Sequence, residues 1–110
     1  MTQFLVNCVL GVMLWIPVLA LAAEGTYTLT IKDHRFDPPE LTVPANQKIK
    51  IIIDNQDSSP EEFESHDLNR EKIIPANSKG TVLVGPLKPG TYKFVGEFHE
   101  DTAQGALIVQ

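Results

Sequence analysis

Cysteine is almost missing from this chain of 110 residues: Cys8 is the only one. Methionine is nearly as scarce, with Met1 and Met13 alone. All three lie in residues 1–23, which carry no charged side chain; the first is Glu24. Residues 24–110 can therefore form no internal disulfide and offer no thiolate or thioether to a soft metal ion. The same region shows no sustained 3.6-residue apolar period, which argues against amphipathic helices, and no repeat or low-complexity tract. Positive charge is in deficit, with 9 Lys and Arg against 14 Asp and Glu and a net charge of -5. That balance disfavours nucleic acid and anionic membrane surfaces and favours cations or basic partners. Gly-x-Ser-x-Gly, His-Glu-x-x-His and Gly-rich phosphate loops are absent as well, so no catalytic nucleophile constellation is present.

What is there begins with an apolar run. Residues 4–21 are apolar except for Asn7, and the run ends in Ala20-Leu21-Ala22-Ala23. Small residues at the -3 and -1 positions mark a secretory signal peptide cleaved after Ala22 or Ala23. A run of about 18 apolar residues is also just long enough for an uncleaved membrane anchor. Pro17 and the small-residue end favour cleavage, and Cys8 sits too early for a lipoprotein attachment site. The reading is a signal peptide at 1–22 and one small domain at 23–110, exported to the periplasm and touching the membrane only through its signal or anchor.

The domain reads as strands. Tyr27, Leu29 and Ile31 alternate with polar neighbours, the period of a half-buried strand. Asp33-His34-Arg35-Phe36-Asp37-Pro38-Pro39 breaks it as a loop or edge segment, with Phe36 expected to plug the core. Strands are expected again at 41–43, at 48–55 with Ile49, Ile51 and Ile53 on one face, at 61–68, at 69–74 and at 81–84. Leu87-Lys88-Pro89-Gly90 is a turn. Tyr92, Phe94 and Phe98 then alternate along a strand that runs into the polar loop Glu97-Phe98-His99-Glu100-Asp101, followed by a last strand over 105–110. Seven or so short strands with a turn every 8–12 residues define an all-β sandwich.

Four segments in this order resemble the frame of small cupredoxin domains. They are residues 36–45 (Phe-Asp-Pro-Pro-Glu-Leu-Thr-Val-Pro-Ala), Asn55-Gln56-Asp57, residues 87–94 (Leu-Lys-Pro-Gly-Thr-Tyr-Lys-Phe) and residues 105–109. The resemblance implies a Greek-key β-sandwich with a metal site at one end, between the loop after the Ile49–Ile53 strand and the loop after the Tyr92 strand. It also implies a departure. The family pattern has a cysteine three residues before its C-terminal histidine and a methionine shortly after it. Here those places hold Gly96 and Thr102-Ala103-Gln104. A blue-copper centre needs the thiolate, so a blue-copper electron carrier is excluded.

The segments Pro60-Glu61-Glu62-Phe63-Glu64-Ser65, Gly96-Glu97-Phe98-His99-Glu100 and Asp33-His34-Arg35-Phe36 resemble the cysteine-free cupredoxin-like proteins of bacterial periplasmic iron uptake. That resemblance implies a copper and/or iron ion. It implies as partner a periplasmic iron-binding protein or an inner-membrane iron permease, and leaves open copper-assisted oxidation of Fe(II). Carboxylate and imidazole donors suit Fe(II), Fe(III), Mn(II) or Cu(II) and are poor for Cu(I). His99 stands at the family's C-terminal histidine position and is the first candidate ligand. Glu97 is expected to share its strand face, and Glu100 to reach from the loop. Glu62 and Glu64 alternate onto one face, where like charges repel unless a cation intervenes. His34 precedes the Phe36 plug. Glu61 is set aside because its side should follow Phe63 into the core unless a bulge re-aims it, and His66 lies too far along the strand. The competing reading is a metal-free sandwich that binds another protein through its acidic end.

Overall fold

The computed structural model describes residues 25–110, so the expected signal peptide lies outside the described residues. Nine strands run in the order β1 Thr26–Lys32, β2 Arg35–Asp37, β3 Glu40–Val43, β4 Ile49–Asn55, β5 Glu61–Ser65, β6 Arg70–Ile74, β7 Ser78–Val84, β8 Gly90–Gly96 and β9 Gln104–Val109. They form two mixed sheets, ordered β2-β1-β4-β7 and β3-β9-β8-β5-β6. The chain crosses between the sheets repeatedly, as a Greek-key sandwich requires. No α-helix occurs among the described residues.

Period-2 patterning builds the core. Leu29 and Ile31 of β1, Ile49, Ile51 and Ile53 of β4, and Val82 and Val84 of β7 face inward from one sheet. Phe63, Phe94, Leu107 and Val109 meet them from the other. Phe36 is buried as the plug expected from the sequence, although its segment is a short edge strand paired with β1, Ile31 opposite Phe36. Its ring meets Phe94 edge-on at 5.0 Å, and Phe94 lies 5.1 Å from Phe63. This aromatic cluster supports the end of the sandwich that carries the polar residues described next.

One expectation changes. The Tyr92 strand does not continue through His99: β8 stops at Gly96, and a single 3-10 turn, Glu97–His99, follows. Phe98 is thereby turned outward and lies exposed instead of alternating into the core. Glu97 and His99 share no strand face, because the strand has ended before them.

Candidate metal centre

Glu61 opens β5 and has the same parity as Phe63, so its side chain enters the sandwich and is 1% exposed. A buried carboxylate needs partners, and this one has three. Oε1 accepts the backbone N–H of Glu62 at 2.9 Å and that of Phe98 at 2.9 Å. Oε2 lies 2.8 Å from Nδ1 of His99. An ionised carboxylate only accepts, so Nδ1 of His99 is the donor in this pair.

Space for the carboxylate comes from Gly96, which lies opposite Phe63 on β8. A Cβ at position 96 would stand 2.6 Å from Cδ and from Oε2 of Glu61, and 2.7 Å from the Ala103 methyl. The Glu61 carboxylate thus fills the direction in which any side chain at position 96 would project. The loop beyond is tied at both ends: Gly96 N–H donates to the Ala103 carbonyl at 2.8 Å, and Ala103 N–H donates to the His99 carbonyl at 2.8 Å.

His34 arrives from the other sheet. Its ring stacks on His99 with centroids 3.6 Å apart and planes inclined by 11°. The two-residue β1–β2 turn that presents it has positive φ at both positions, 53° at Asp33 and 58° at His34. That is the geometry of a type I′ hairpin, usually met with Asn-Gly. Without a glycine it costs about 1–2 kcal/mol per residue. Asp57 offsets this by accepting the Asp33 N–H on Oδ1 at 2.8 Å and the His34 N–H on Oδ2 at 3.0 Å. Hydrogen bonds to a charged acceptor contribute about 1.5–3 kcal/mol each. Asp57 is itself set by Asn55, which is fully buried. Asn55 Oδ1 accepts the Asp57 N–H at 3.0 Å, while its amide nitrogen donates to the carbonyls of Ser59, Ile74 and Pro75 at 3.0, 3.1 and 3.2 Å.

Of the residues singled out in the sequence, the fold brings His99 and His34 together. Glu62 and Glu64 alternate to the outer face of β5, where Glu64 is paired across the ladder with Glu71. The Glu62 carboxyl titrates above the usual glutamate range, first through partial desolvation and then through the charges of Glu71, Glu64 and Glu61. Glu97 and Glu100 are exposed on either side of His99. Glu100 borders a groove of about 300 Å³ with Glu64, Asp67 and Lys93. His66 is exposed, 3.9 Å from Glu64. The residue that sequence reasoning set aside, Glu61, is the one in contact with His99. Its parity with Phe63 was read correctly; that parity is what delivers it to the site.

The donors can be tested for fit to an ion. The 2.8 Å between Oε2 and Nδ1 is a hydrogen-bond distance, so an ion held by both would replace the shared proton and lie off the line between the two atoms. The two imidazoles do not make a pair of this kind. Their lone pairs lie in the ring planes, and near-parallel planes 3.6 Å apart meet only far beyond bonding distance. No group of three or more His, Cys, Asp or Glu side chains converges as a cage among the described residues. Two donors, one oxygen and one nitrogen, fit an ion that keeps other positions open; a soft Cu(I) site does not fit.

The Greek-key sandwich has the architecture of the cupredoxins, with His99 in its β8–β9 loop and the buried Glu61 reaching it from β5. The chain belongs to that family: the model for the cupredoxin-like domain matches residues 6–109. An uncharacterized protein of Rickettsia prowazekii (strain Madrid E) is 53% identical over 81 residues, which cover 74% of this chain and 65% of the relative, slightly under two thirds of its length. Solved structures share the fold at low identity. The Cu(I)-bound metal-binding domain of the Streptococcus pneumoniae Cu(I)-exporting P-type ATPase CopA superposes with a TM-score of 0.69 at 12% identity, covering 80% of this chain and 89% of that one. Auracyanin A, a blue copper protein of Chloroflexus aurantiacus, gives 0.66 at 19% identity over 77% and 98%. A reduced amicyanin variant gives 0.64 at 20% identity over 83% and 88%.

Proposed function

We propose that this protein is an exported cupredoxin-like metal binder that takes Cu(II) or iron through oxygen and nitrogen donors and serves iron acquisition through a membrane permease. One observation carries the reading: the Glu61 carboxylate lies in the place vacated by a side chain at Gly96 and is 2.8 Å from His99 Nδ1. Glu61 and His99 would hold the ion, which takes the place of the proton they share. Binding therefore releases a proton and weakens as pH falls. A bound ion would supply a positive charge with open positions, able to exchange with a partner. Glu97 and Glu100, exposed on either side of His99, would attract cations toward this seat.

Copper-binding relatives of the same fold support the metal part of this reading. The iron-uptake part rests on the Glu-rich and Asp33-His34-Arg35-Phe36 segments. The test is titration of Cu(II) and Fe(II) into the metal-free protein, followed by calorimetry and electron paramagnetic resonance. Binding near micromolar is expected, weakened at least about 10-fold in Glu61→Gln and in His99→Ala, with Glu62→Gln and Glu64→Gln close to wild type. Binding indifferent to both Glu61 and His99, or none near micromolar, would favour the metal-free interaction module. Deletion of the gene should lower uptake of radiolabelled iron under iron limitation, and unchanged uptake would sever the permease link.

A further inference from the structure

His34 reaches His99 from a different sheet, on a turn whose backbone is unfavourable for both of its residues. It stays there because one carboxylate, Asp57, receives both turn N–H groups. Stacked as it is, His34 cannot share an ion with His99, yet its ring lies flat against the imidazole that bonds to Glu61. We infer that Asp57 is a positioning residue: it fixes the His34 ring as a platform that holds His99 at Glu61, and His34 serves the site by its flat face and not by a nitrogen. The metal arm of this inference rests on the function proposed above; the platform itself does not.

The chain of contacts runs from the buried core outward. Asn55 sets the Asp57 backbone, Asp57 sets the turn, the turn sets the His34 ring, and the ring leaves the half-buried His99 little freedom to swing away from the acid. Groups that orient a ligand from behind it alter metal affinity by about 10–100-fold when removed. The platform predicts a division of labour that a ligand role would not. A phenyl ring at position 34 keeps the stack and has no donor atom.

The experiment has two arms. In metal-free full-length protein, the ring-proton NMR shifts of His99 report the stacked neighbour. They should move in Asp57→Ala to the values seen in His34→Ala, and partway in Asp57→Asn, which keeps a single acceptor oxygen. Wild-type His99 shifts in both Asp57 variants would overturn the assignment, and the Asn variant keeps this arm decisive if the Ala variant fails to fold. In the second arm, Cu(II) affinity should fall about 10–100-fold in Asp57→Ala and His34→Ala, while His34→Phe stays within about 3-fold of wild type. The nitrogen hyperfine pattern should be the same in wild type and His34→Phe. A nitrogen lost in His34→Phe, or an affinity as low as that of His34→Ala, would make His34 a ligand and overturn the platform. Failure of wild type to bind Cu(II) would refute the metal reading, and the first arm would still decide the positioning.

Discussion

Adding one methyl group at Gly96 should cost this domain a large part of its stability. The new Cβ would stand 2.6 Å from Cδ and Oε2 of Glu61 and 2.7 Å from the Ala103 methyl, whereas carbon atoms pack best at about 3.5–4.0 Å. Neither neighbour yields freely. The Ala103 methyl is fixed to a backbone that exchanges hydrogen bonds with Gly96 and His99, and the Glu61 carboxylate is held by two N–H groups and an imidazole. Overpacking costs about 1–3 kcal/mol, and breaking one charge-assisted hydrogen bond adds about 1.5–3 kcal/mol. The expected loss in Gly96→Ala is about 3–5 kcal/mol, against a total near 4–13 kcal/mol for a domain of this length. At about 4–8 °C per kcal/mol, the thermal midpoint should drop by roughly 12–40 °C. Calorimetry on metal-free protein measures this directly. If the Glu61 contact dominates, Glu61→Ala in the same chain should make the double variant less damaged than the sum of the two single ones by about 1 kcal/mol or more. A Gly96→Ala protein melting within about 3 °C of wild type would refute the close packing on which this reasoning rests.

Four further outcomes are expected. Glu61→Gln keeps an oxygen for the Glu62 and Phe98 N–H groups but turns an NH2 toward His99, so the imidazole proton should move from Nδ1 to Nε2, read by long-range nitrogen–proton NMR correlation; Glu61→Ala leaves those two N–H groups unpaired and should cost about 2–5 kcal/mol in urea unfolding. Asn55→Ala strands the Asp57 N–H and the buried Ile74 carbonyl, and should cost about 2–4 kcal/mol by the same assay, with a smaller loss pointing to water replacing the amide. Because the Glu62 carboxyl binds its proton more tightly when folded than when unfolded, its contribution is fully present at low pH and is lost as pH rises through its folded value. Glu62→Gln should therefore flatten the decline in stability as pH rises above the usual glutamate range, and parallel curves for the two proteins would contradict the shift.

Much of the architecture is written locally. The alternation of Ile49, Ile51 and Ile53, the Phe36 plug, the Pro89-Gly90 turn and the absence of any helical period define the strands and the sandwich, because burial on a pleated surface has a period of two that neighbours in sequence already display. The absence of a thiolate, and the glycine standing at position 96, are equally plain in the chain. Where β8 ends is not, since a strand-like run of residues continues past Gly96 while the backbone turns at Glu97.

The site was decided in three dimensions. The parity of Glu61 with Phe63 shows that its side chain points inward, but not that an inward acid has anything to meet. Its partners, Gly96 and His99, come from a strand and turn more than thirty residues on, and only the β5–β8 pairing sets them opposite. His34 and Asp57 are likewise joined to His99 only across the two sheets. A periodicity tells each residue which side it faces; it takes the closed sandwich to determine what stands on the other side.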